Sequence, residues 1–375
     1  MAAPRPWSSL HLDLLSRIFL LLLCVANHVR ASAVNKHWRG VALQNPSPLP
    51  SLLMPSTART EIYRIFGGFA DPRPPLAAEG RAERFCGSAP GGWFVVASPH
   101  WRGHALLNVR TGVCVPLPDR VTCPMMIRAA AMSAAPPSGG CFIAAMTSSQ
   151  TNMAFWRPGM DRWLSAPVGR KPPEPRDAQD LTFHDGWFCV VDSDDDLFCY
   201  RTEIAPAGPG DGGTSLTIHH IAYKIRRHPL MDTTEHGEIV SRYVLPSASG
   251  ADLLMVWRFI SPARGGTWRF QVFRLQKPQD GLPACWRSYQ MSGQVLFVGR
   301  ACSKAFDTGH TGSPGYIYFL DDVYPGGPDR VLQQNEYPCA DTGGLRYSVP
   351  DEIEIVRCLP STPPSDTSPC IWYHH

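Results

Sequence analysis

From about residue 60 to 358 the apolar positions fall in short runs rich in Val, Ile, Phe, Tyr and Trp, bounded by Gly, Pro, Asp and Ser. Gly92-Trp-Phe-Val-Val-Ala97, Ala105-Leu-Leu-Asn-Val109, Cys141-Phe-Ile-Ala-Ala-Met146, Gly186-Trp-Phe-Cys-Val-Val191, Leu253-Leu-Met-Val-Trp257 and Gly315-Tyr-Ile-Tyr-Phe-Leu320 are examples. Such runs predict β-strands, and hardly any helix is implied. The N-terminal stretch has a different period. Leu10, Leu14, Leu15, Ile18, Leu21 and Leu22 recur at three and four, the stripe of an amphipathic helix that Ser8 or Ser9 can cap. A second periodic stretch carries Val29, Ala33, Val34 and Trp38 on one face and leaves Arg30, Lys36 and Arg39 for solvent. Pro46, Pro48 and Pro50 then end helix formation, because each lacks a backbone donor and restricts the residue before it.

Two strand segments are near copies. Pro90-Gly-Gly-Trp-Phe-Val-Val96 and His184-Asp-Gly-Trp-Phe-Cys-Val190 each present a turn glycine, then Trp-Phe and a valine-rich run. Their tryptophans, Trp93 and Trp187, are 94 positions apart, two units of the roughly 40–50-residue spacing of propeller repeats. The Cys141 run lies midway and is followed by Phe155-Trp-Arg-Pro-Gly-Met-Asp-Arg-Trp163, a hairpin of the sort that closes a blade. The expected fold is therefore mainly β, a kelch-like propeller of six or seven blades behind a small all-α module. The expected divisions are a helical module over 7–45, a linker over 46–59, a propeller over 60–358 and a tail over 359–375. Pro360-Ser-Thr-Pro-Pro-Ser-Asp-Thr-Ser-Pro369 makes that tail a candidate for disorder.

Charge and cysteine usage narrow the function classes. The net charge is +3 with thirty Arg and five Lys scattered along the chain, so no basic stripe marks a nucleic-acid partner. The twelve cysteines contain no C-x-x-C, which leaves a zinc ribbon or thioredoxin motif unsupported. Cys141, Cys189, Cys199 and Cys302 sit in apolar runs as small hydrophobes, pointing to a reducing compartment, cytoplasm or nucleus. The nine-residue run Ile18–Ala26 is too short to span a bilayer, which takes about 20 residues, so no membrane partner is expected. With Ala31-Ser-Ala33 behind it, the run mimics a secretory signal; Asp13, Arg17 and Arg30 around it argue against that.

No catalytic chemistry assembles along the chain. Asp192-Ser-Asp-Asp-Asp196 with Glu203 matches part of a calcium loop, but Leu197 replaces the glycine and strands flank it, so a solvated hairpin tip is expected. His100-Trp-Arg-Gly-His104 and His219-His220 lack a third ligand at suitable spacing. Gly208-Pro-Gly-Asp-Gly-Gly213 has no Lys-Ser/Thr ending to cradle a phosphate. No metal, cofactor or catalytic residue is expected.

Two resemblances give this layout a function. Trp7-Ser-Ser-Leu-His-Leu-Asp-Leu-Leu-Ser-Arg-Ile-Phe-Leu-Leu-Leu22 followed by Val29-Arg-Ala-Ser-Ala-Val-Asn-Lys-His-Trp38-Arg39 resembles an F-box, with His11 where proline is usual and Asn35 where cysteine is common. Leu296-Phe-Val-Gly-Arg-Ala-Cys-Ser303, Tyr316-Ile-Tyr-Phe-Leu-Asp-Asp322 and the paired Gly-Trp-Phe strands resemble the KIB-type propeller of plant F-box proteins. The resemblance implies a non-catalytic substrate receptor of a Skp-cullin-F-box ubiquitin ligase. Leu10, Leu14, Leu15, Ile18, Leu22, Val34 and Trp38 would form or support the surface that binds a Skp-type adaptor and, through it, a cullin. The propeller would hold an unidentified target protein, with Trp101, Arg102 and Tyr324 at blade tips as candidate contacts because aromatic and Arg side chains dominate hot spots. Three alternatives stay open. The helical pair could pack on its own large domain, docking could have decayed, or the chain could be a secreted or luminal propeller, lectin-like or enzymatic, behind a cleaved signal.

Overall fold

The structure is a computed structural model that describes residues 7, 10–22, 30–44, 49–55, 61–64, 68–69, 84–97, 103–118, 126–136, 138–148, 153–165, 175, 177–205, 215–225, 237–278, 283–307, 315–323, 337–347, 355–356, 359, 365 and 368–374. Six sheets form a ring, which resolves the expected six or seven blades to six. In blades two to five the strands run outward in chain order. They are Arg84–Ala89, Trp93–Ala97, His104–Asn108 and Cys114–Leu117; then Ile127–Met132, Ile143–Thr147, Met153–Trp156 and Leu164–Ser165. Ala178–His184, Trp187–Asp192, Leu197–Ala205 and Ser215–Tyr223 make the fourth blade, and Ile239–Pro246, Leu253–Ser261, Gly266–Gln276 and Cys285–Ser288 the fifth. The first strands of successive blades lie against one another and surround the axis.

Alternation along each strand explains why the ring holds. Successive side chains point to opposite faces of a sheet, and in a propeller both faces meet a neighbouring blade. Phe94 and Val96 pack with blades one and six, whereas Trp93, Val95 and Ala97 pack with blade three. The near copy behaves the same way: Phe188 and Val190 join blade three, Cys189 and Val191 join blade five. The runs are therefore continuously apolar, because no face of a second strand meets water.

Blade six departs from the pattern. Its order is Lys304–Asp307, Gln294–Val298, Gly315–Phe319, Gly343–Tyr347, Ile355–Val356, and Gln294–Val298 pairs with Gly315–Phe319 in parallel. Blade one joins the two ends of the chain: Ser51–Met54, Glu61–Arg64 and Gly68–Phe69 take as inner strand Ile371–Tyr373, with Leu53 opposite Ile371. Two expected divisions are thus corrected. Ser51–Met54, assigned to a linker, is a buried strand, and the tail assigned to disorder supplies the strand that closes the ring. Apolar content overrides the surrounding prolines and serines at both places. Trp372 is fully buried and donates from Nε1 to the Val298 carbonyl at 3.0 Å; Ser368 Oγ accepts the Phe85 N–H at 2.9 Å; His374 Nε2 donates to the Cys302 carbonyl at 2.9 Å. Gly299 is required here, since a Cβ would come within 3.2 Å of Trp372 and 2.8 Å of Cys302 Sγ.

The helical pair is Leu12–Leu21 and Lys36–Gln44. Its core, Leu15, Phe19, Trp38, Val41 and Ala42, shares no residue with the propeller clusters. Among the described residues no helix is long and apolar enough to cross a membrane.

Trp372→Ala is expected to cost about 3–5 kcal/mol, the range for emptying a buried large aromatic site. The change is read as a lower midpoint in urea. An unchanged midpoint would show that ring closure does not rest on this side chain.

Candidate functional site

The seven residues expected to carry docking divide into two groups. Leu15 and Trp38 are interior, with Trp38 edge-on to Phe19 at 6.0 Å between ring centroids. Leu10, Ile18 and Leu22 are half-buried. Leu14 and Val34 face solvent at 53% and 57% exposure, and Leu12 joins them at 50%. The pair therefore buries one apolar seam and leaves a second apolar set uncovered, which Leu12 belongs to although its spacing placed it outside the stripe.

Local hydrogen bonds hold this arrangement. Asn35 Oδ1 accepts the Trp38 N–H at 2.9 Å and the Asn35 carbonyl accepts the Arg39 N–H at 3.0 Å, so Asn35 caps the second helix. Trp38 Nε1 donates to the Trp7 carbonyl at 3.1 Å, and His37 Nε2 to the Leu10 carbonyl at 3.1 Å, tying the entry segment across the pair. His11 precedes the first helix with φ −59° and ψ 142°, a backbone whose φ is the one a proline ring imposes. Replacing proline there alters the unfolded chain more than the folded turn.

On the propeller, Trp101, Arg102 and Tyr324 lie outside the described residues. The Asp192–Asp196 turn, expected as a solvated tip, is instead buried. Asp192 Oδ1 accepts the N–H groups of Asp194 and Asp196 at 2.9 and 3.0 Å. Asp195 Oδ1 accepts Arg242 Nε at 2.6 Å and Trp257 Nε1 at 3.0 Å, which clamps blade four onto blade five. These carboxylates are consumed by the fold. His219 stands 3.6 Å from Glu203, and His220 stacks on Tyr200. Among the described residues no group of three His, Cys, Asp or Glu side chains is placed to hold a metal ion.

Sequence reasoning missed what lies at the axis. The inner strands of blades two, three and four each shift register by one residue, between Phe85 and Gly87, Ile127 and Ala129, and Ala178 and Asp180. The carbonyls beside these bulges accept arginine. Arg84 donates to the carbonyls of Ile127 and Arg128, and Arg300 to that of Gln179. Asp180 Oδ1 accepts the N–H of Ala301, held at φ +54°, at 2.7 Å, and Oδ2 accepts that of Val244 at 3.0 Å. Burial pushes the Asp180 carboxyl up to about 7. Burial first, and the Arg84 charge second, pull His104 down to about 4; its neutral Nε2 accepts the Ile127 N–H at 3.2 Å. A separate apolar depression of about 120 Å³ between blades four and five is walled by Trp187, Ile221, Tyr223 and Leu275 beside the Asp185–Lys277 pair.

A model of the KIB1-4 beta-propeller family matches residues 62–343, three quarters of the 375-residue chain. The chain belongs to the KIB1-4 beta-propeller family. Of the KIB-type features, the paired Gly-Trp-Phe strands lie in blades two and four, whereas Leu296–Ser303 and Tyr316–Asp322 lie in blade six, where the Arg300 N–H donates to Asp322 Oδ2 at 2.7 Å. Solved structures are similar only distantly. BBS1N in complex with ARL6DN is 12% identical at TM-score 0.31, covering 56% of this chain and 60% of that one. The N-terminal domain of Nup159 is 9% identical at TM-score 0.33, covering 84% and 75%. The Cps50 (Swd1) propeller of Myceliophteria thermophila is 10% identical at TM-score 0.35, covering 82% and 97%. In that BBS1N match the chain spans less than two thirds of the other chain's length. A comparison with curated proteins returned no match.

Two outcomes test this geometry. His11→Pro is expected to raise stability by roughly 0.4–1 kcal/mol, read as slower amide exchange in the Leu12–Leu21 helix; a loss would mean that the turn is not proline-compatible. Between pH 6.5 and about 4 the unfolded chain protonates His104 and the folded chain does not, so stability falls as pH drops through that window. His104→Gln keeps an acceptor for Ile127 and removes the titration. Its denaturation midpoint should vary less with pH over that window than the wild type's, and equal slopes would assign the effect elsewhere.

Proposed function

We propose that the protein is the substrate receptor of a Skp-cullin-F-box ubiquitin ligase, with the helical pair as an F-box that docks a Skp-type adaptor and the KIB-type propeller as the part that holds the target. The observation that carries this reading is the exposed set Leu12, Leu14 and Val34 on a helical pair whose own core is already complete without the propeller. A module of about forty residues buries too little surface to be very stable alone, so uncovered leucines beside a finished core favour a partner. The order of the parts supports the same reading, since F-box-like residues precede a propeller of the KIB1-4 family. Asn35 departs from the usual motif without weakening the module, because its side chain supplies a helix cap. In this reading the chain performs no chemistry; it works in the cytoplasm or nucleus by bringing a target within reach of a ligase.

Co-purification with a Skp-type adaptor tests the proposal. Leu14→Ala combined with Val34→Ala is expected to weaken adaptor binding by roughly tenfold or more while the unfolding midpoint stays near wild type. Leu15→Ala, which empties the interior seam, should cost roughly 2–5 kcal/mol and lose binding through unfolding of the pair. Failure of the intact protein to recover any adaptor would sink the reading.

A further inference from the structure

The depression of about 120 Å³ between blades four and five has Trp187, Ile221, Tyr223 and Leu275 as walls, and Ile221 is 41% exposed. Its deeper lining is Cys189 and Cys199, which lie opposite each other on adjacent strands and are 3% and 7% exposed. The near copy in blade two shows why there is space. Trp93-Phe-Val-Val96 aligns with Trp187-Phe-Cys-Val190, so Val95 stands where Cys189 stands, and Leu106, opposite Val95, takes the place of Cys199. Val95 and Leu106 are buried in the seam between blades two and three. Two cysteines in their place withdraw side-chain volume from the corresponding seam and leave it concave.

The size of the space decides between kinds of occupant. Sites that enclose a free drug-sized molecule run to roughly 300–1,000 Å³, well above this depression. An apolar cavity of about 150 Å³ takes one benzene ring, so the space fits a single ring whose remainder lies outside. Aromatic rings favour edge-to-face or offset contacts with one another, and Trp187 and Tyr223 supply two such partners. The surround is polar and of mixed sign. Lys277 Nζ and Asp185 Oδ2 pair at 3.4 Å with side chains 64% and 69% exposed. Arg201 lies over the Trp187 ring at 6.0 Å and pairs with Glu203 at 3.1 Å. Both belong to the strand pair Leu197–Ala205 and Ser215–Tyr223, on the same sheet face as Cys199 and Ile221, as do Thr217 and His219. An apolar pocket inside a polar, solvent-exposed rim is the anatomy of an anchor site at a protein interface.

We propose that this depression receives one aromatic side chain of a partner polypeptide. Trp187 and Tyr223 select the ring, and the Asp185–Lys277 pair and Arg201 form the polar rim around the entering chain. The inference rests on the receptor reading only for naming the partner: in that reading the ring belongs to the target, and blades four and five carry part of target recognition.

The test uses the intact chain and capped glycine-alanine pentapeptides whose central residue is phenylalanine, tyrosine, leucine or alanine, read by the methyl NMR signals of Ile221 and Leu275. The aromatic peptides should bind saturably and tightest, with the alanine peptide at least about tenfold weaker. Cys189→Val combined with Cys199→Leu, which copies blade two and fills the space, should abolish the shifts while the melting temperature stays near wild type. Ile221→Glu, an exposed change that puts a charge in the wall, should abolish them too and decides the matter should the filled chain not fold. The proposal is overturned by an absence of saturable shifts at millimolar peptide, by a leucine or alanine peptide that matches the aromatic ones, or by binding that survives these substitutions. It is equally overturned if benzyl alcohol alone binds as tightly as the phenylalanine peptide, which would make this a small-molecule site, or if the signals shift with protein concentration alone, which would assign the face to a second copy. Adaptor recovery by the filled variant should equal the wild type's, so a failed anchor site and a failed ligase reading give separate results.

Discussion

The pairing of Ser51–Met54 with Ile371–Tyr373 is the contact on which the rest of this structure depends. Every blade buries both faces against its neighbours, so an open ring would expose two apolar faces and the edges beside them to water. The closing strand also carries Trp372, whose indole fills the space that Gly299 leaves empty and bonds to the Val298 carbonyl of blade six. One short strand thus joins the first blade, the last blade and, through Ser368 and Phe85, the second.

Buried charge sets the register in which the blades meet. Arg258 is fully buried and reaches Asp322, Asp341, Thr267 and the Leu320 carbonyl, linking the second strand of blade five to the connections of blade six. Asp195 clamps blade four to blade five, and Asp180 holds the blade-six turn at Ala301 in a backbone conformation that non-glycine residues seldom adopt. Apolar faces alone would let adjacent sheets slide over one another. A carboxylate that must meet a particular N–H or guanidinium permits one position, because leaving a buried charge without partners is costly.

Strands that pack on both faces were legible in the sequence, since Trp93–Ala97 and Trp187–Asp192 are continuous apolar runs behind turn glycines and occupy equivalent places two blades apart. The helical seam was equally legible from its three-and-four spacing, yet spacing could not separate Leu15, which is interior, from Leu14, which is exposed. The closing strand was missed because three apolar residues behind a proline-serine stretch carry no signal of a partner more than three hundred positions earlier. The axial arginines were missed for a related reason. A one-residue bulge leaves no compositional mark, and Arg84, Arg128 and Arg300 converge only through the ring.

Ring closure also orders events during synthesis. The helical pair has a core of local contacts and can form once its residues leave the ribosome, whereas Ser51–Met54 waits for a partner made more than three hundred residues later. Until then the nascent chain carries a finished N-terminal module ahead of blades whose terminal faces are uncovered. A chain interrupted before Ile371 would keep that module but lack the strand that completes blade one, separating the fate of the helices from that of the propeller.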